Sequence, residues 1–153
     1  MTEEKVRLLF QLRPAPVLAE HRPLYKITQL LLVLRMASRS GKSSLPRLHL
    51  FNWAFKRPER SARLIEAAKS EELRVTAWGF DPALAIALKY TVAEGLIRTV
   101  STGYELTDHG IAFADAVIKD GDIFGTEKNI LVAVGKNITE KMVEAVAKGW
   151  ETA

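Results

Sequence analysis

Residues 81–114, DPALAIALKYTVAEGLIRTVSTGYELTDHGIAFA, constrain the fold more than any other stretch. Asp81 is an N-cap candidate, and Pro82 stands where a first helical turn tolerates it. A helix is expected from Ala83 to about Glu94, with Gly95 as its stop. Leu96-Ile97-Arg98-Thr99-Val100 is an apolar, β-branched run. Ser101-Thr102-Gly103 is a tight turn, and Tyr104-Glu105-Leu106 is the return strand. Thr107 caps a second helix, with Asp108 in its first turn, where the helix dipole favours negative charge. Ile111, Ala114, Val117 and Ile118 continue that helix.

The order helix, EGLI, hairpin, Y-x-LT-x-x-G, helix resembles the winged-helix family. The fold class expected is mainly α with a small β-hairpin or three-stranded wing. In most winged helices the helix before the hairpin reads the DNA major groove. Base readout needs side chains with hydrogen-bonding tips. Residues 83–94 offer mostly Ala, Leu, Ile and Val, with Lys89, Tyr90, Thr91 and Glu94 as exceptions. A helix apolar nearly all round is expected to be buried on more than one side. The wing tip carries no base. The expectation is therefore a DNA-binding fold whose reading head packs against protein.

A chain of 153 residues fits one domain with an arm. At this size about 70% of the unfolded surface is buried on folding, enough for a self-sufficient core. The chain has no cysteine, which excludes disulfides and thiolate metal sites and fits a reducing compartment. The longest apolar run, residues 27–34, is broken by Thr28 and Gln29 and is far too short to span a membrane. With no signal peptide visible, the expected location is the cytoplasm. Charge is unevenly placed. Residues 1–75 hold 15 Lys/Arg and 7 Asp/Glu, a net +8, and residues 76–153 hold 7 and 11, a net −4. Such a split suggests that the two halves meet different partners.

Residues 1–23 form an N-terminal arm ahead of a domain at 24–153. Val6, Leu8, Phe10 and Leu12 alternate with other residues as in a short strand, and Pro14, Pro16 and Pro23 rule out a continuous helix. The arm either packs on its own core or adds to a partner. The domain divides into a helical part (24–72), a winged element (73–120) and C-terminal helices (126–151). In the helical part, Leu24, Ile27, Leu31 and Leu34 recur at helical spacing in a first helix reaching about residue 40. Ser40-Gly41-Lys42-Ser43-Ser44 looks like the end of a phosphate-binding loop, but Met36 stands where that motif needs Gly and a helix precedes it. It reads as a helix–helix loop, with Ser44 capping a second helix through Phe55. A third helix follows at 58–70. Leu73-Arg74-Val75-Thr76-Ala77-Trp78 is expected to be a short strand that joins the hairpin as its third member. Beyond the wing, Thr126 begins one helix that Gly135 stops, and Thr139 caps a last helix.

Arg39, Lys42, Arg47, Lys56, Arg57, Arg60 and Arg63 make the strongest basic cluster in the chain. It suits phosphate contact without sequence readout, or an acidic protein surface. Candidate protein-interface residues are Leu8, Phe10 and Leu12 in the arm, Ile86 and Tyr90 on the reading helix, and Val143 and Trp150 on the last helix. His21, His49 and His109 have no metal-ligand spacing. Asp120 and Asp122 flank Gly121 in a helix-ending turn. No nucleophile, metallopeptidase or dinucleotide motif is present. Nothing points to catalysis, a metal, a cofactor or a small-molecule substrate.

Taken in order, RPLYKITQLLLVL, SLPRLHLFNWAFK, FDPALAIALKYTVAEGLI, GYELTDHGIAFADAVI and TEKNILVAVGKNITEKMVEAV resemble the small middle component of bacterial three-component systems built on an SMC-like ABC ATPase, the group that includes Lamassu-type antiphage defence. The resemblance covers about residues 22–147. It implies a winged-helix-like, non-catalytic subunit linking the ATPase to an effector, often a nuclease. DNA would be met through the complex. The alternative expectation, from the winged element alone, is a dimeric DNA-binding transcription regulator.

Overall fold

Helix α1 (Pro23–Met36) is the axis around which the other elements pack in the computed structural model, which describes residues 23–152 with side chains through Gly149. Leu8, Phe10, Leu12 and His21, and the Trp150 side chain, lie outside the described residues. Every residue of α1 from Lys26 to Leu34 is buried. Leu31, Leu32 and Leu34 each contribute about 2 kcal/mol by leaving water. A helix buried all round needs partners for its polar side chains. The Lys26 ammonium donates to Asn52 Oδ1 at 2.8 Å, Thr28 to the Leu24 carbonyl at 2.8 Å, and Gln29 to Glu127 at 3.0 Å.

α1 ends at Met36, earlier than the apolar spacing suggested. The Ser38 hydroxyl donates to the Val33 carbonyl at 2.9 Å, and Ser40 and Gly41 take left-handed φ values of 55° and 65°. A 3-10 turn (Arg39–Gly41) leads into β1 (Lys42–Ser43). The stretch read as a plain helix–helix loop therefore carries a strand. Ser44 then caps α2 (Leu45–Phe55), its hydroxyl accepting from the Arg47 N–H, with Pro46 in the first turn. α3 (Pro58–Ser70) packs back on α2.

The third strand is not where periodicity put it. Residues 72–81 hold neither helix nor strand. Val75 and Trp78 are the buried residues there, a spacing of three that no strand face repeats. Trp78 pins the segment by donating its indole N–H to the Pro46 carbonyl at 2.9 Å. The sheet instead has the order β1-β3-β2, all antiparallel, with β2 (Ile97–Val100) and β3 (Gly103–Leu106) as the hairpin. β1 lies on β3 with Lys42 opposite Glu105 and Ser43 opposite Tyr104. The winged element is therefore not confined to 73–120. Gly103 is required by this arrangement, since a β-carbon there would lie 2.2 Å from the Ser43 carbonyl oxygen.

α4 (Pro82–Ala93) precedes the hairpin and α5 (Asp108–Lys119) follows it. Thr107 caps α5, accepting from the Gly110 N–H at 3.1 Å while donating to the Gly95 carbonyl at 2.6 Å. α6 (Gly125–Val134) and α7 (Glu140–Thr152) complete the chain. Seven α-helices and a three-stranded wing among the described residues make a winged-helix-like, mainly α fold. No helix among the described residues is long and apolar enough to cross a membrane.

Candidate functional site

The start of α4 is fixed by Asp81. Its carboxylate accepts from the Ala83 N–H and Asn52 Nδ2, both at 2.9 Å, and lies 3.0 Å from Lys56 and 3.2 Å from Lys26. Burial pushes this carboxyl up. The hydrogen bonds from Asn52, Lys56 and Ala83 and the charge of Lys26 outweigh that, holding it well below the usual carboxylate range. Next to it, the Asp81 N–H donates to His49 Nδ1 at 3.3 Å. The other ring nitrogen of His49 is buried without a hydrogen-bond partner, and burial pushes the imidazole below its ordinary pKa. Phe80 packs on the His49 ring with centroids 4.9 Å apart.

From this anchored start, α4 buries Leu84, Ala87, Leu88 and Thr91, and its main packing is against α1. The opposite face is open. Ile86 and Tyr90 are 51% and 53% exposed, and Phe80 just before the helix is 66% exposed. The expectation of burial on more than one side is thus not met within the chain. One face packs internally, and the second apolar face is bare. Large exposed apolar side chains gathered on one element mark an interaction surface.

The same region is poorly equipped to read bases. Lys89 is the single cation of α4. Arg98 of the hairpin is held by Glu105 at 3.0 Å, and Glu105 also faces Lys42 at 3.5 Å. The turn residues Ser101 and Thr102 carry no charge.

The seven-residue basic cluster does not assemble. α2 has 11 residues and spans about 16 Å, so Arg39 and Lys42 lie at one of its ends and Lys56, Arg57, Arg60 and Arg63 at the other. Arg47 is not a surface contact at all. It is 3% exposed and donates to the Ile138 carbonyl at 2.8 Å, to the Ser38 and Ser43 hydroxyls at 2.7 and 3.3 Å, and to the Ala37 carbonyl. Burial lowers its pKa to about 10 against the raising pull of Glu140, so it stays charged. Lys56 is committed to Asp81, and Arg60 stacks over the Trp53 ring at 4.8 Å. Arg39, Arg57 and Arg63 are exposed without ion pairs among the described residues. Val143 is likewise not an interface residue: it is 2% exposed and belongs to the core.

No family model matches the chain, and no curated protein or solved structure matches it significantly.

The fold also brings together what the sequence kept apart. Lys136 and Lys141 join Arg39 and Lys42 around a cleft of about 800 Å³ between β1 and the start of α7. Near-neighbour reading could not find this set, because its two halves are separated by almost the whole domain. No group of three or more His, Cys, Asp or Glu able to hold a metal occurs among the described residues. Asp120 closes the turn after α5, accepting from the Asp122 N–H at 3.0 Å, as a helix-ending turn does.

Proposed function

We propose that this chain is an adaptor subunit, without a catalytic role of its own, that links an SMC-like ABC ATPase to an effector in a bacterial antiphage complex. The observation that carries the reading is the bare apolar face of α4, Ile86 and Tyr90 with Phe80, at the position where winged helices present their reading head. An apolar reading head gains from covering by protein and gains little from a DNA groove. The pairing of Arg98 and Lys42 with Glu105 points the same way, since neither cation faces a phosphate unopposed. The reading of the partners rests on the ordered motif resemblance, and the α4 face is the surface proposed for their attachment.

The test is affinity purification of the tagged full chain from cells carrying its native locus. Recovery of a coiled-coil ATPase with an effector supports the adaptor, and Ile86→Asp with Tyr90→Asp should abolish that recovery. Recovery of the chain with DNA fragments alone would overturn it. The dimeric regulator would then stand, with duplex affinity falling at least about tenfold in Lys89→Ala or Arg98→Ala.

A further inference from the structure

The cleft between β1 and α7 is built differently from the α4 face, and no α4 residue lines it. Its accessible apolar walls are Pro46 and Ala147, while Ile138 and Val143 also line it but are buried in the core. Its basic lining residues are Arg39, Lys42, Lys136 and Lys141, together with the buried Arg47. Arg39, Lys136 and Lys141 have no ion pair among the described residues, and Lys42 is half exposed at 3.5 Å from Glu105. Two carboxylates line the same space, and one of them is already used. Glu140 accepts from the Ser44 N–H at 3.0 Å and from the Ser44 hydroxyl at 2.6 Å. Glu140 keeps its charge, so Glu140 and Glu144 stand against Arg39, Lys136 and Lys141, the buried Arg47, and Lys42, which is shared with Glu105.

The cleft is also preformed. Arg47 ties α2 to the Ile138 carbonyl on one side and to Ser38 and Ser43 on the other. Glu140 ties α7 to the cap of α2. A site that is already shaped spares its ligand the cost of ordering it.

We propose that this cleft takes an acidic peptide segment of a partner protein, with an apolar side chain against the accessible walls Pro46 and Ala147 and flanking carboxylates meeting Lys136, Lys141 and Arg39. A volume of about 800 Å³ accommodates a few side chains, within the usual range for ligand clefts. Charge complementarity selects the sign of the partner, and the apolar walls select a peptide over a nucleic acid. A phosphate backbone would leave the apolar walls Pro46 and Ala147 without a partner, whereas a peptide can cover them with an apolar side chain. The proposal does not rest on the adaptor reading, because it concerns a separate surface.

The experiment selects phage-displayed random twelve-residue peptides on the immobilised full chain, with counter-selection on the K136E/K141E variant. A consensus of an apolar residue flanked by Asp or Glu is expected. The synthetic consensus peptide, followed by fluorescence polarisation, should bind at least about tenfold more weakly to K136E/K141E. It should lose binding to Ala147→Phe, which fills the cleft, and keep it in Lys136→Arg/Lys141→Arg. Circular dichroism establishes that each variant is folded. Ile86→Asp/Tyr90→Asp should bind the peptide normally, which separates this proposal from the fate of the α4 face. No enrichment over the counter-selection, a consensus without acids, or binding of a 20-mer duplex that is lost in K136E/K141E would each overturn it.

Discussion

His49 shows how a single buried side chain links helix α4 to solvent conditions. Its Nδ1 accepts the Asp81 N–H, so its proton sits on the buried Nε2, which has no acceptor. A second proton would place a cation beside Lys56 and Lys26, both of which lower its pKa, with Asp81 as the opposing influence. Because the folded-state pKa lies below the unfolded value of about 6.5, the associated stability is complete above that pH and is lost as pH falls toward the folded value. Asp81 behaves in the same sense at lower pH, its contribution fading only below about 4. The expected outcome is a melting temperature that declines between pH 7 and pH 5 in the native chain and declines less in His49→Asn, read by thermal scans at fixed ionic strength. Equal slopes would remove His49 as the cause. Arg47 teaches the opposite lesson about reading residues. In the sequence it is one more member of a basic run, and nothing local distinguishes a surface arginine from one that bonds two connecting segments inside the core. His49 too looked like an ordinary helix-face residue, since nothing local in the sequence shows that its Nε2 is buried without a partner.

Element boundaries were legible wherever the signal was local. Asp81, Thr107, Ser44 and Thr139 all accept the backbone N–H bonds that a cap must accept, and Gly95 and Gly135 take the positive φ that ends a helix. These depend on residues within one turn, so the sequence states them directly. The third strand was not legible. Lys42–Ser43 is two residues long, without alternation or β-branching, and becomes a strand because β3 offers an unpaired edge beside it. The 73–78 run had the composition of a strand but pairs with no strand of the sheet. Helix α5 offers a direct test of how tightly such elements are fitted. A β-carbon on Gly110 would lie 2.0 Å from the Leu96 carbonyl oxygen, whereas one on Gly121 would meet nothing within 4 Å. Gly110→Ala is expected to cost about 3 kcal/mol, and Gly121→Ala to stay within about 0.5 kcal/mol, by urea denaturation. Similar values for the two would mean that α5 can slide off the α4–β2 junction.

On the scale of the whole molecule, the wing and α4 are positioned by a core that does not depend on the open apolar face. Ile86→Asp with Tyr90→Asp is therefore expected to leave the unfolding free energy within about 0.5 kcal/mol per site while removing partner capture, and a large loss of stability would show that the face is structural. The candidate surfaces were legible unequally. The apolar character of α4 was written in residues 83–94, while its exposure was not, because a helix's burial is decided by what packs on it. The cleft was invisible, because Arg39 and Lys42 meet Lys136 and Lys141 only after α7 docks. That docking joins residues 96 positions apart at Ser44. Ser44 caps α2, immediately follows β1, and holds Glu140 at the first turn of α7. Separation of α7 would free the α2 cap and loosen the edge strand in the same event. The C-terminal helix and the outer strand of the wing thus open as one cooperative unit, and their amides should exchange with solvent at a common rate.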